Sequence, residues 1–230
     1  MTAADRATAP AAAPVPEGAR LARPERRQQL LAAARRVFVE KGYHATAMGD
    51  IAERAGVSKP VLYQHFEGKL DLYLALLEEQ LAEMVRVVNT ALASTAVNRD
   101  RVQAVMAAFF EFVDREEETF RLVFESDLIA DAAVRRRVDR ATTEIAAATA
   151  DVIAADTDLT TDQAWLLGVA MTGQAQVAAR AWLAAGRTIP RDEAAALVAR
   201  LSWRGVRGFP ATGHQVPPLA GTDGGPGRAG

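Results

Sequence analysis

The chain has 230 residues, of which 50% are hydrophobic and 24% are charged, and its formal net charge at pH 7 is −2. The absence of cysteine excludes disulfides and thiolate metal sites, and the three histidines (His44, His65 and His214) are too far apart in sequence to suggest a metal site. The charge is uneven, because residues 20–69 carry ten Lys or Arg against five Asp or Glu. This imbalance suits a small nucleic-acid-binding domain on an acidic body, although a solvated basic face gives the same count.

Strand-forming residues are scarce relative to Ala and Leu, so the composition predicts an all-helical protein. Residues 1–23 are rich in Ala and Pro and are predicted to form a disordered arm without a secretory signal. The first helix is predicted between Pro24, which suits a first helical turn, and Gly42, which suits a helix end. Its apolar face comprises Leu30, Leu31, Ala34, Val37 and Phe38.

Two short helices follow and are predicted to form a helix-turn-helix. Thr46 is expected to cap a helix that ends near residue 54 or 55, and Ser58 is expected to cap another that ends near Phe66. Gly56 permits the sharp corner between them. The apolar residues of the first (Ile51, Ala52 and Ala55) face those of the turn and the second (Val57, Leu62 and Phe66), as two helices crossing at a steep angle require.

The predicted third helix presents a basic, aromatic and amide-bearing face, which favours binding in a DNA major groove. Lys59 and Gln64 are expected to contact bases, and Tyr63, His65 and Lys69 to contact phosphates. For isolated residues, a half-exposed Tyr63 and a His65 that caps locally would be the simpler interpretation, but their joint spacing behind a glycine turn favours DNA. The full predicted DNA-binding set is Thr46, Met48, Ser58, Lys59, Pro60, Tyr63, Gln64, His65 and Lys69.

A larger helical body is predicted after the helix-turn-helix. Its helices are expected at 69–93, 100–115, 117–127, 131–155, 161–186 and 191–207, followed by a Gly- and Pro-rich disordered tail at 209–230. Thr160 and Gln163 have the spacing of a capping box, and Pro190 precedes an acidic first turn. The predicted domains are therefore a DNA-binding domain at 24–68 and a ligand-binding and dimerisation domain at 69–208.

Large apolar side chains concentrate in the middle of this body and predict an apolar small-molecule cavity, with an ordinary packed core as the alternative. The expected lining comprises Met106, Phe109, Phe110, Phe112, Phe120, Phe124 and Leu128. The acidic residues nearby are expected to form solvated faces. No paired-carboxylate or nucleophile–base arrangement stands out, so the chain is predicted not to be an enzyme.

The 161–186 segment is apolar nearly all round and rich in Ala and Gly, so it is expected to be buried. Two helices from each of two subunits are predicted to form a four-helix dimer interface, although a monomeric core can use the same pattern. The expected interface residues are Trp165, Gly168, Gly173, Val177, Leu197 and Leu201. No segment is long and apolar enough to span a bilayer, and the protein is expected in the cytoplasm.

The helix-turn-helix segment closely resembles the motif of the TetR family of bacterial regulators. The matching residues are Gly42-Tyr43, Thr46, Ile51-Ala52, Ala55-Gly56-Val57-Ser58, Tyr63, His65-Phe66 and Lys69, within residues 24–72. The resemblance implies a three-helix DNA-binding head and a larger helical body that dimerises and binds a small molecule. It also implies that Tyr63, His65 and Lys69 lie at the phosphate backbone.

Within that family, residues 42–45, 57–66 and 69–70 are similar to the actinobacterial fatty-acid-synthesis regulators called FasR. The similarity extends to Phe109-Phe110, Phe120-Arg121-Leu122 and Phe124-Glu125. It implies a long-chain acyl-CoA as effector and a fatty-acid synthase operon as target. No cofactor is expected. Two alternatives stay open: a drug-responsive repressor of an efflux pump, and, from another class, a helical lipid-binding protein or enzyme.

Overall fold

The computed structural model describes residues 22–116 and 127–205. The regular structure in these ranges is helical, without strands, which confirms the all-helical fold class. The helices are α1 (Arg23–Ala45), α2 (Met48–Arg54), α3 (Lys59–Tyr63), α4 (Lys69–Ala93), α5 (Asn98–Arg115), α6 (Ala132–Ala155), α7 (Thr161–Ala184) and α8 (Arg191–Arg204). A short 3₁₀ helix (Asp127–Ala130) precedes α6.

Most predicted helices lie close to the observed ones. The bounds of α4 coincide with the prediction, and those of α5, α6 and α7 differ from it by two residues or fewer. The helix predicted at 191–207 corresponds to α8, whose last residue is Arg204. The helix predicted at 117–127, the tail, and nearly all of the N-terminal arm lie outside the described residues.

The described residues divide into two compact units. The first unit comprises residues 22–80 and 127–137, and the second unit comprises 81–116 and 138–205. Helix α4 therefore contributes its N-terminal half to the first unit and its C-terminal half to the second. The domain boundary predicted between residues 68 and 69 stays a prediction.

The core of the first unit is built on α1. Its buried face includes the predicted residues Leu30, Leu31, Ala34, Val37 and Phe38. Regular helical geometry is interrupted at Gly42, whose φ of 74° is a conformation that glycine adopts without steric cost. The chain then turns so that the ring of Tyr43 lies 5.8 Å from that of Phe38 and 5.3 Å from that of Tyr73 on α4. These aromatic contacts fix the end of α1 against the start of α4.

In the second unit, helices α5, α7 and α8 pack against one another. Phe110 packs on Trp182 with 5.6 Å between ring centroids, and the Trp182 indole donates a hydrogen bond to the carbonyl of Ile189 at 2.7 Å. The predicted capping box at the start of α7 is present, because Thr160 accepts from the backbone of Gln163 and Gln163 accepts from that of Thr160. Among the described helices, none has the length and apolar character needed to cross a membrane.

Candidate nucleic-acid interface and apolar cavity

The turn between α2 and α3 depends on a positive φ at one residue and on a backbone hydrogen bond that closes the turn. Gly56 has a φ of 66°, and the amide of Val57 donates to the carbonyl of Ala52 at 3.0 Å. Leu62 and Phe66 are fully buried beside Ile51 and Ala52, as predicted. The helix-turn-helix therefore has its own small core, and the opposite side of α3 is left to solvent.

That opposite side carries most of the predicted DNA contacts. Ser58, Lys59, Pro60 and Gln64 are exposed, and Tyr63 is 51% exposed despite being a large aromatic residue. We call these five residues the recognition surface. Met48 is half-buried at the first position of α2. Ser58 occupies the predicted N-cap position of α3, but its hydroxyl makes no capping hydrogen bond and so remains available to a partner.

Thr46 does not have the predicted role. Its side chain is only 3% exposed, and its hydroxyl donates to the carbonyl of Gly42 at 2.7 Å. The N-cap of α2 is Ala47, whose amide donates to the Asp50 carboxylate at 3.1 Å. Thr46 therefore closes the end of α1 and is too buried to contact DNA. Sequence spacing contained a signal for this, since Asp50 lies three residues after Ala47, as in a capping box.

The contacts of Lys69 also differ from the predicted ones. Its ammonium donates to the carbonyls of Tyr43, His44 and Thr46 at 2.9, 3.2 and 2.9 Å, and it lies 4.5 Å from the centre of the Tyr43 ring. An ammonium group has three donors, and all three are used here. The expected phosphate contact is therefore replaced by an internal one: Lys69 caps the α1–α2 junction from the first residue of α4.

His65 is half-buried at the end of the α3 segment, beside arginines that the sequence-based DNA-binding set omitted. The guanidinium of Arg27 lies 4.5 Å from the Phe66 ring centre, and the same group approaches the His65 carbonyl. Burial, followed by the charges of Arg23, Arg27 and Arg26, lowers the pKa of His65 below its usual value. In the part of the chain that the structure describes, no carboxylate forms an ion pair with these three arginines. The start of α1 and the end of α3 thus share a region of positive potential.

The second unit contains an apolar cavity of about 320 Å³. All of its five helical segments contribute to the lining, including Val88 and Leu92 of α4, Val102, Met106 and Phe109 of α5, Ile145 and Val152 of α6, Met171 and Ala175 of α7, and Trp203 of α8. A cavity of this size and lining suits a small apolar ligand.

The predicted lining is correct for Met106 and Phe109. Phe110 and Phe112 are buried but do not line this cavity, and Phe110 instead packs on Trp182. Leu128 is half-buried and belongs to the first unit. Phe120 and Phe124 lie outside the described residues. Consecutive residues on a helix point in different directions, so the pair Phe109-Phe110 divides between cavity and core.

The charged groups of the cavity are already paired. Arg101 donates to the carbonyls of Leu92 and Thr95, to the Asn98 side chain, and to the Asp156 carboxylate at 3.3 Å. Hydroxyls of Thr149 and Thr172 donate to backbone carbonyls of their own helices. The remaining surface of the cavity is therefore suited to hydrocarbon rather than to a separate charge.

Helix α7 has two different apolar faces. One face is buried within the subunit, and Gly168 lies on it: a Cβ at this position would collide with the Ala146 carbonyl oxygen and lie 3.1 Å from the Ala150 nitrogen. Gly168 therefore permits close packing of α7 on α6 and is not the dimer contact that was predicted. Other apolar residues of α7 are exposed in the single subunit, so the predicted burial of the whole helix would require a second subunit.

The other face of α7 is a stripe of residues spaced three and four apart, Leu166, Val169, Gly173 and Val177, which we call the α7 stripe. Its three larger members are exposed, and Val177 is 64% exposed. Trp165 and Leu201 are exposed as well, whereas Leu197 is half-buried. Five of the six predicted interface residues are thus not fully buried within the subunit.

Residues 30–76 match the family described as bacterial regulatory proteins, tetR family. The chain is 43% identical over 195 residues to the HTH-type transcriptional activator FasR of Mycolicibacterium smegmatis, which covers 85% of this chain and 89% of that protein. The chain belongs to the TetR family of transcriptional regulators. The matched segment of this TetR-family regulator includes the entire recognition surface, and its similarity to FasR extends through both units.

Solved structures share the fold of this TetR-family chain. A TetR-like regulator from Rhodococcus sp. RHA1 is 29% identical, covers 83% of this chain and all of its own, and superposes with a TM-score of 0.66. The regulator FadR from Bacillus subtilis, solved in complex with stearoyl-CoA, has a TM-score of 0.68 at 16% identity and covers 78% of this chain and 98% of its own. The latter likeness is one of fold. As a member of the TetR family, the chain is a DNA-binding transcriptional regulator.

Proposed function

We propose that this regulator binds a palindromic operator in double-stranded DNA as a homodimer, and that a hydrophobic effector with a long acyl chain controls the binding. In this proposal, Lys59 and Gln64 contact base edges and Tyr63 and His65 contact phosphates. The exposure of the recognition surface supports these roles. The arginines at the start of α1 add positive charge for the phosphate backbone on the His65 side.

The α7 stripe supports the dimer. Exposed apolar side chains at helical spacing lose contact with water when a second copy of the same helix covers them. Leu197 and Leu201 of α8 would extend this surface into the four-helix interface. A dimer brings two recognition surfaces to one operator, and their helices need a separation of about 34 Å to enter successive major grooves.

The observation that carries the effector proposal is the apolar cavity whose charged groups are paired with each other. We propose that the cavity takes the hydrocarbon chain of a long-chain acyl-CoA, and that the target genes serve fatty-acid synthesis. Two relatives support this choice: FasR by its sequence similarity, and FadR of Bacillus subtilis by its complex with stearoyl-CoA.

The ion pair between Arg101 and Asp156 disfavours the alternative of a drug-responsive repressor. A cationic drug is stabilised in an apolar cavity by a carboxylate that is free to pair with it. The carboxylate that lines this cavity is that of Asp156, which lies 3.3 Å from a nitrogen of Arg101. A cationic ligand would therefore have to break an existing ion pair, whereas a hydrocarbon chain would leave it intact.

Thermal unfolding with and without palmitoyl-CoA tests the effector. A ligand present at 100 times its Kd stabilises the folded state by about 2.7 kcal/mol, so we expect the Tm to rise by roughly 5–10 °C. Ala175→Leu, which fills part of the cavity, should reduce this shift, while Ala184→Leu, at an exposed position of the same helix, should retain it. A shift with cationic drugs and none with acyl-CoA would instead support the efflux-pump alternative.

Selection of bound fragments from random DNA, repeated with palmitoyl-CoA, tests the operator. We expect recovery of a palindrome whose affinity changes when the acyl-CoA is present. Tyr63→Ala should weaken binding to that palindrome without changing the fold or the dimer. Binding without sequence selectivity would contradict the proposal and favour the alternative of a helical lipid-binding protein.

A further inference from the structure

Gly49 is a glycine for which the backbone gives no reason. It is the second residue of α2, and its φ is not positive, so any L-residue can adopt its conformation. Glycine within a helix costs about 1 kcal/mol relative to alanine. A residue that weakens its own helix without a conformational need points to a space requirement.

The space beside Gly49 is occupied by the end of the Lys59 side chain. A Cβ built on Gly49 would lie 2.9 Å from Cε and 3.2 Å from Nζ of Lys59. Lys59 is the first residue of α3 and belongs to the recognition surface. The absence of a side chain at Gly49 therefore leaves room for the Lys59 side chain to extend over α2. A methyl group at Gly49 would displace the Lys59 ammonium and would meet no backbone atom of a neighbouring segment.

The charges near Gly49 favour the Lys59 ammonium at this place, but they leave its three hydrogen-bond donors without acceptors. The Asp50 carboxylate accepts from the Ala47 amide and pairs with Lys41 at 3.1 Å. These two interactions lower the pKa of Asp50, and the more distant charge of Lys59 adds a smaller effect in the same direction. Among the described residues, Lys59 has no hydrogen-bond or ion-pair partner. Its three donors thus remain available to a DNA base.

We propose that Gly49 is a positioning residue that determines operator specificity, because it sets the path along which Lys59 reaches a guanine edge. The proposal rests on the proposed function, in which the recognition surface reads DNA. Lysine pairs with guanine O6 and N7, and such contacts need defined geometry. Gly49 acts through Lys59 and needs no DNA contact of its own.

The test is the affinity of Gly49→Ala for the selected operator and for operators in which each guanine of the half-site is replaced in turn. We expect discrimination at one guanine per half-site to fall about 3- to 10-fold, within the range that one base contact supplies. Affinity for non-specific DNA and the Tm should not fall. Gly68→Ala is the matched control, since it adds a methyl group in the same unit with no atom within 4 Å, and it should keep wild-type discrimination.

A double-mutant cycle with Lys59→Ala separates positioning from other effects. Once Lys59 is removed, Gly49→Ala should cause no further loss of discrimination. Equal effects of Gly49→Ala in both backgrounds, or unchanged discrimination in the single variant, would overturn the inference while the operator binding of the wild-type protein stands. A wild-type protein that fails to select any operator would overturn the proposed function as well.

Discussion

Helices α3 and α7 each expose residues that a folded chain could have covered, but the two exposed faces differ in chemistry. The recognition surface on α3 combines Lys59, Tyr63 and Gln64, all of which carry hydrogen-bonding groups. The α7 stripe is hydrocarbon along its length, with Leu166, Val169 and Val177 open to solvent. Both faces lie opposite a buried face of the same helix.

The difference indicates what each face binds. Donors and a cationic group keep their hydration in the free protein and exchange it for contacts with a polar partner such as DNA. An exposed apolar stripe has no such compensation in water and is expected to be covered by a similar apolar surface. A polar helix face therefore predicts an operator, and an apolar one predicts a second subunit.

The largest expected effect comes from making the α7 stripe polar. Val177→Glu places a carboxylate in the proposed dimer interface, and an unpaired charge buried there costs on the order of 3 kcal/mol or more for each subunit. We expect a monomer in sedimentation equilibrium and a loss of operator affinity of at least about 100-fold. The loss of affinity follows because one recognition surface alone contacts half of the operator.

Val97→Glu is the control for this change, because Val97 is also exposed but is the residue before α5 and does not belong to the α7 stripe. This variant should remain a dimer. If Val177→Glu were dimeric and bound the operator as the wild type does, the α7 stripe would not be the interface.

The second prediction separates the two faces of α7. Gly168→Ala should destabilise the protein by about 2–3 kcal/mol, because its methyl group meets backbone atoms of α6 that cannot move aside. Gly173→Ala adds the same group where no atom of its own subunit lies within 4 Å, so it should destabilise the protein clearly less than Gly168→Ala does, even though a second subunit is proposed to cover this position. Chemical denaturation at matched protein concentrations measures both. Equal effects of the two substitutions would refute the division of this helix into a packed face and an open one.

A third prediction contrasts two lysines of the first unit. Lys69→Ala removes an ammonium that donates to three carbonyls, and hydrogen bonds from charged groups contribute about 1.5–3 kcal/mol, so a loss of about 2 kcal/mol is expected. Lys59→Ala, at an exposed position, should change stability by less than about 0.5 kcal/mol while reducing operator selectivity. Urea unfolding compares the two variants. A stable Lys69→Ala that binds operator weakly would restore the phosphate contact predicted from sequence.

The helix-turn-helix was predictable because its determinants are close in sequence. Gly56, Leu62 and Phe66 lie within one segment of eleven residues, and the spacing of apolar residues specifies which side of α3 is buried. The bounds of the longer helices followed from the same periodicity. Neither result required knowledge of how distant segments meet.

The predictions that were wrong concern residues whose contacts come from distant parts of the sequence. Lys69 caps carbonyls 23 to 26 residues earlier, and Gly168 packs on Ala146, so neither role leaves a local pattern. A lysine near DNA-binding residues is expected to bind phosphate unless its acceptors are known. Likewise, a glycine in an apolar helix predicts a close approach without indicating whether the neighbour belongs to the same subunit.

The smallest expected effect concerns the pH dependence of operator binding. In the free protein, burial and the charges of Arg23, Arg27 and Arg26 lower the pKa of His65, so the folded state resists protonation more than the unfolded state does. This group therefore contributes stability near neutral pH that is lost as the pH falls from the ordinary histidine pKa to the lowered one.

A DNA phosphate beside His65 has the opposite influence on the pKa of His65, because it favours the protonated form and raises that pKa. Operator binding should then take up a proton, and affinity should increase as the pH falls from 8 to 6. His65→Gln should remove that increase while keeping the hydrogen-bonding capacity and the affinity at pH 8. A wild-type affinity that stays constant across this range, at constant ionic strength, would place His65 away from the phosphate backbone.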